Sequence, residues 1–291
     1  MNQTFYKISY LYTIFLALSL FFIAGCGDDG SSAKSGDSES ASDILEEFSG
    51  YITDGDWSWD IPKEDYFNPE IDYGSMTDPR DGKTYRTVKI GEQTWMAENL
   101  NYYDVAAMPY LEHRCWCYYG IDNLDDRDAF CDFAGRYYTW SAAIDSVKLA
   151  SGDENQLDCG EDKICGLTGK VQGVCPPDWH LPDSTEWNTL FTTVGGKEIA
   201  GKMLKSKKGW GDNNSGEDDF GFSALPLSQN RSGGPANEIN FYAAGRYAHF
   251  WSSTETNEIE AYAAYLNFDD VDLYGDYKYY GLNVRCIKDE E

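Results

Sequence analysis

What most limits the fold open to this chain is where its cysteines lie relative to its first apolar run. That run, Ile8 to Ile23, follows a lone charge at Lys7 and ends in Ile23-Ala24-Gly25-Cys26. Small residues leading into a cysteine at the end of an apolar stretch form a lipobox, and the stretch has the length of a secretory h-region rather than of a full membrane span. Residues 1–25 are therefore read as a signal peptide and Cys26 as the lipidation site. Palmitate-type acyl chains on its thiol and its new amino group would hold the protein at the outer membrane, on the periplasmic or the cell-surface side. A plain transmembrane anchor is the competing reading, but it gives no reason for a cysteine after small residues. Each buried methylene contributes about 0.8 kcal/mol, so two or more chains hold where one would not.

Export places the other cysteines in an oxidising compartment. Setting Cys26 aside leaves Cys115, Cys117, Cys131, Cys159, Cys165, Cys175 and Cys286, an odd set, so one thiol has no mate. Cys159 and Cys165 bracket a short polar loop, and Cys117 and Cys131 an acidic one. Each of these pairs is expected to close its loop, leaving Cys175 with Cys286 as the long-range bridge and Cys115 unpaired. In the simple chain-entropy model that long bridge removes about 4–5 kcal/mol of unfolded-state entropy. A zinc site is the rival use of these thiols. Cys115-Trp116-Cys117 is C-x-C rather than C-x-x-C, and His113, His180 and His249 are the only histidines, so the ligand set is poor.

The net charge of −27 argues against nucleic acid and anionic headgroups as partners, because either would be repelled over the whole surface. Residues 26–75 read as the acylated cysteine followed by an acidic, low-complexity tether. Its first part, Gly27 to Ser42, holds too little apolar surface to offset the entropy of ordering. Aromatics return at Phe48, Tyr51, Trp57, Trp59, Tyr66 and Phe67 and are expected to pack on the domain edge. Residues 76–291 then form one domain.

Within that domain, Thr84 to Ile90 alternates, Gly91-Glu92 fits a two-residue II′ turn, and Gln93 to Ala97 returns, so a hairpin is expected. A short helix is read at 139–147. Asp183 stands three residues ahead of Glu186, and Trp187, Leu190, Phe191 and Val194 follow at helical spacing before Gly195-Gly196. This predicts a capped helix, with a shorter basic one at 197–206. Segments 261–268, 271–280 and 282–287 alternate and are read together as a terminal antiparallel sheet. Antiparallel sheets with a few short helices and long irregular loops make the fold class α+β.

Six ordered blocks carry a resemblance: Lys89 to Asn101, Gly135 to Trp140, Val171 to Pro182, Asp219 to Pro226, Phe250 to Glu255 and Val284 to Asp289. They closely resemble the Fibrobacter succinogenes major paralogous domain, over about residues 76 to 289. That resemblance implies an exported protein, often a lipoprotein, in line with Cys26. A second, more distant resemblance links Trp179 to Trp187 and Val284-Arg285-Cys286 to the formylglycine-generating enzymes, which implies a C-type-lectin-like fold. It does not transfer their activity, because their copper-binding cysteines lie close together in a late loop whereas Cys175 and Cys286 are far apart.

Two kinds of site emerge from the residues. Asp212, Asn214, Glu217, Asp218 and Asp219 gather oxygen ligands on a glycine-broken loop of the kind calcium prefers, although the spacing is not that of an EF-hand and a solvated acidic loop is the plainer reading. The chain also has 22 tyrosines and 9 tryptophans, more than a core of this size needs. Aromatic faces beside carboxylates and amides suit sugar rings. Trp95, Trp140, Trp179, Trp187 and Trp251 are assigned to packing. The terminal segments supply Tyr262, Tyr265, Tyr274, Tyr277, Tyr279 and Tyr280 among Asp269, Asp270, Asp272 and Asp276, with Tyr265, Tyr274, Tyr277 and Tyr279 the ligand-binding candidates.

No carboxylate pair stands out for hydrolysis among the 50 acids, and no nucleophile elbow accompanies His180 or His249. The expectation is a membrane-anchored, non-catalytic lipoprotein whose domain binds an extracellular glycan or an envelope component. The alternatives are an enzyme of the formylglycine-generating type or a hydrolase, and a purely structural envelope protein.

Overall fold

The computed structural model describes residues 62–117, 131–146, 162–211, 214–231, 241–242, 245–267 and 270–290. All of them lie in one compact unit, Ala41–Glu291. The expected signal peptide, Cys26, the tether up to residue 61, Cys159, Asp212 and Asp269 fall outside the described residues.

Packing already begins upstream of residue 76. Tyr66 and Phe67 are buried, and Ile71 and Tyr73 lie against the core. Gly74–Thr77 (β1) pairs antiparallel with Thr84–Ile90 (β2), which pairs with Gln93–Met96 (β3). Gly91 turns the β2–β3 corner at φ +63° while Glu92 stays outside the left-handed region, as a II′ turn requires. Cys115–Trp116 (β4) and Tyr137–Tyr138 (β5) form a small ribbon. Trp140–Ala143 (α1) follows, shorter than expected, with the Thr139 hydroxyl accepting from the Ala142 N–H as its cap.

Trp179–His180 (β6) leads into Ser184–Thr193 (α2), whose capping box forms as predicted. The Asp183 carboxylate accepts from Thr185 and Glu186 N–H at 2.7 and 2.8 Å, and Glu186 Oε2 accepts from Asp183 N–H at 2.9 Å. Lys197–Leu204 (α3) begins after Gly195 and Gly196, both at positive φ, and packs against α2. Gln229–Asn230 (β7) pairs with Phe241–Tyr242 (β8).

The terminal sheet is built from Ala248–Glu255 (β9), Glu260–Leu266 (β10) and Val271–Tyr277 (β11), in the order β11-β10-β9. Two of the three expected strands are here, but the third is not. Segment 282–286 makes only single bridges, Leu282 to Tyr138 and Asn283 to Phe250, before Ile287–Lys288 (β12) joins the other sheet, whose order is β1-β2-β3-β12-β6. The place given to that segment belongs to β9. Its first six residues are all buried, so it shows no alternation to betray it.

The terminal sheet is covered on both faces. Phe250, Ala264, Leu266 and Val271 belong to one core cluster, with Trp95, Trp187, Phe191 and Phe222. Trp251, Ala261 and Ala263 belong to the other, with Trp140, Val174, Val284 and the Cys175–Cys286 bridge. Residues one apart on a strand thus serve different cores. All five tryptophans assigned to packing are buried.

Arg285 is fully buried, and among the described residues no carboxylate is in contact with it. Its guanidinium donates to Asn99 Oδ1 and to the carbonyls of Met96, Phe222 and Ser223 at 2.6 to 3.2 Å. It lies over the rings of Phe222 and Phe250 at 4.8 and 5.4 Å. Burial lowers its pKa to about 9.

Candidate binding site

The face of the terminal sheet that carries Trp251 and Ala263 turns polar toward one end. His249 on β9 is in register with Tyr265 on β10, and Ala263 is in register with Tyr274 on β11. The small Ala263 side chain leaves room above the middle strand, and the Tyr274 hydroxyl reaches His249 Nδ1 at 2.9 Å. Asp276, two residues on and therefore on the same face, places Oδ2 at 3.6 Å from the same nitrogen. Segment 228–231 forms the far wall, held by a parallel bridge from Ser228 to Ala248 and by Ser228 N–H donating to Tyr247 O. Ser228, Gln229, Arg231, Tyr247, His249, Tyr265 and Tyr274 enclose a pocket of about 290 Å³.

A polar relay runs along that wall. With its amide nitrogen turned to Asp276 Oδ2 at 2.5 Å, Gln229 presents its amide oxygen to Arg231 Nε and Nη2 at 2.8 and 2.9 Å. Gln229 and Asp276 are buried, while Arg231 stands exposed. Burial lowers the His249 pKa against the opposing pull of Asp276, so the imidazole is neutral near pH 7. Burial also raises both phenols. For Tyr265 its neighbour Tyr247 adds to the effect, and for Tyr274 Asp276 does. Both hydroxyls therefore stay protonated and able to donate.

The rings enclose the space at steep angles. Tyr265 meets Tyr274 at 78° and 5.3 Å, His249 meets Tyr265 at 60° and 4.9 Å, and Tyr247 tilts 32° from Tyr265 at 5.3 Å. Aromatic faces, neutral hydroxyls, an amide and one guanidinium thus converge on a single concavity, the composition of a small-ligand site.

The family model described as Fibrobacter succinogenes major domain matches residues 88–288. The chain belongs to this family. The matched region runs from β2 to β12 and takes in every lining residue of the pocket. No curated protein and no solved structure matches the chain.

Within this major domain the four tyrosine candidates divide. Tyr265 and Tyr274 line the pocket, whereas Tyr277, an odd number of residues from Tyr274 on the same strand, leaves from the opposite face. It joins Tyr279 and Tyr280 in a separate cluster with ring centroids 4.7 to 5.5 Å apart. Burial and the Tyr279 hydroxyl raise the Tyr280 pKa to about 12. Tyr247, Ser228, Gln229 and Arg231 gave no local signal, since their role depends on a wall brought in from outside the terminal sheet.

Three of the four described members of the acidic loop turn to protein partners. Glu217 pairs with Lys202 at 2.5 Å, and Asn214 Oδ1 accepts from Lys205 Nζ at 3.1 Å. Asp218 is buried and accepts from Ser223 N–H and Oγ at 2.7 and 2.6 Å, while Asp219 is exposed. Among the described residues no three acidic, histidine or cysteine side chains gather as a metal-holding group. Of the oxygens proposed for calcium, those of Glu217, Asn214 and Asp218 are thus directed at Lys202, Lys205 and Ser223.

His180 is buried between two carboxylates, with Nδ1 at 2.6 Å from Asp289 and Nε2 at 2.8 Å from Glu186. It thereby ties the start of α2 to the end of the chain, a structural role. The Cys117–Cys131 and Cys175–Cys286 disulfides form as expected, Cys165 is also disulfide-bonded, and Cys115 is a buried free thiol. Burial raises the Cys115 pKa to about 12, which keeps it unreactive.

Proposed function

We propose that this chain is an outer-membrane lipoprotein, acylated at Cys26 after loss of residues 1–25, in which a tether over 26–75 carries a C-type-lectin-like domain over 76–291 that binds extracellular carbohydrate without catalysis. The observation that carries this reading is the pocket of Tyr247, Tyr265, Tyr274, His249, Gln229 and Arg231. Sugars present apolar C–H faces and many hydroxyls, and this lining offers rings for the former and neutral donors and acceptors for the latter. A neutral His249 and protonated phenols suit hydroxyl recognition more than proton transfer. The net charge of −27 disfavours polyanionic partners and leaves neutral or sparsely charged glycans.

The test is a glycan array probed with the full chain purified in detergent, as wild type and as Tyr265→Ala. The expected result is a restricted set of bound glycans that the variant loses while keeping the wild-type melting temperature. Binding that survives Tyr265→Ala, or no bound glycan at all, would contradict the reading. Intact-mass analysis checks the anchor: acylation on wild type, and none on Cys26→Ala.

A further inference from the structure

After β11 the chain turns and sets a second group of aromatic rings beside the pocket. The turn closes with Tyr280 N–H donating to Tyr277 O at 2.8 Å. Gly281 then exchanges both N–H to O bonds with Asn230 at 2.9 Å, an antiparallel bridge. Positions opposite each other in an antiparallel pair share a face, and the faces alternate along it. Tyr280 therefore stands opposite Arg231, on the side from which Gln229 and Arg231 enter the pocket lining. Tyr280 lies within electrostatic range of Arg231 and Asp276, and Tyr274 within range of Tyr280. The cluster of Tyr277, Tyr279 and Tyr280 thus adjoins the wall formed by segment 228–231.

Tyr277 is exposed and Tyr279 and Tyr280 are half-buried, in contrast to the tryptophans of the two cores. Tyr277 and Tyr279 lie 5.5 Å apart with their planes 26° from parallel, and Tyr280 meets them at 74° and 81°. The hydroxyls of Tyr279 and Tyr280 are hydrogen-bonded to each other. Rings braced in this way, each with only two side-chain torsions to fix, need little ordering when a ligand arrives. Aromatics gathered beside a pocket differ from single apolar residues scattered over a surface. The stretch from Tyr277 to Gly281 also holds no acid, on a chain of net charge −27, and its Lys278 is buried against Glu255. The surface that continues from the pocket is therefore aromatic and uncharged.

We infer that the binding site continues out of the pocket across Tyr280 onto Tyr277 and Tyr279, so that its ligand is an extended, neutral glycan chain with one part in the pocket and the next on these rings. This inference rests on the carbohydrate-binding reading above. Equatorial linkage at both ends of each unit keeps such a chain extended and turns its C–H faces outward, where successive aromatic surfaces can meet them. A β-1,4-linked chain has that form, whereas axial linkages bend a chain away from the second surface.

The test is calorimetric titration of the full chain in detergent with β-1,4-linked oligomers of glucose, of xylose and of mannose, each from the monosaccharide to the pentasaccharide. Wild type, Tyr277→Ala and Tyr279→Ala are compared, with thermal melting as the folding control. Should Tyr279→Ala fail to fold, Tyr277→Ala, at the most exposed ring, carries the comparison. The expected result is that in at least one series the affinity rises about ten-fold or more with length, and that each folded variant weakens the longest member at least five-fold more than the shortest that binds. An affinity that does not rise with length, or a rise that survives both folded variants, overturns the inference and leaves the carbohydrate reading standing. If none of the three series binds while other glycans do, the inference also falls alone. If no glycan binds, both fall.

Discussion

Asp218 is an acid whose burial gives the stability of the molecule a pH signature. Burial is the largest influence on it and outweighs the Ser223 hydrogen bonds and the Arg285 charge, raising its pKa from the usual carboxylate range to about 7. An unfolded chain would release that proton near pH 4. Between about pH 4 and 7 the folded state holds the extra proton, so this contribution to stability is fully present below pH 4 and is lost as pH rises through 7. At about 1.4 kcal/mol per unit the loss amounts to a few kcal/mol. The variant Asp218→Asn keeps the shape without the titration. Denaturant unfolding from pH 4 to 8 is expected to show a clear decline for wild type and a shallower one for the variant, whereas equal slopes would contradict the assignment. The sequence could not show which acid of 217–219 turns inward. Its neighbours Phe220 and Phe222 lie against or within the aromatic core, and they carry Asp218 in with them.

At the scale of elements, the sequence was readable wherever a local signal decides the structure. The β2–β3 hairpin and α2 formed within a residue of their expected bounds because Gly91 and the Asp183–Glu186 box act over three or four positions. Replacing Asp183 by Ala removes the acceptor of two amide N–H groups and should cost about 0.5–2 kcal/mol, measured by chemical denaturation. A change below about 0.3 kcal/mol would mean that the His180–Glu186 contact, not the cap, fixes this helix start. Where partners lie far away, the pattern misled. Segment 282–286 alternates like a strand, yet it threads between the two cores and exchanges single bridges with Tyr138 and Phe250. The residues of β9 are buried on both faces, so apolar and polar side chains do not alternate along it. The binding face was half legible: strand parity separates Tyr274 from Tyr277, but only the register of β10 with β9 brings His249 beside Tyr265.

For the whole molecule, the Cys175–Cys286 bridge joins the segment before β6 to the one before β12 across a sequence separation of 111. Every residue of the pocket lies inside that loop. Removing the bridge with Cys175→Ser and Cys286→Ser together is expected to cost about 2–5 kcal/mol. In a domain of this size that lowers the melting temperature by roughly 5–20 °C. An unchanged melting temperature would show that the two cores hold the ends together without the crosslink. The measurement that bears most directly on the central claim is an equilibrium titration of the full chain with the glycan it binds best, comparing wild type with Tyr265→Ala. At least ten-fold weaker binding by a variant of unchanged melting temperature is the predicted result, and equal affinity for the two proteins would contradict it.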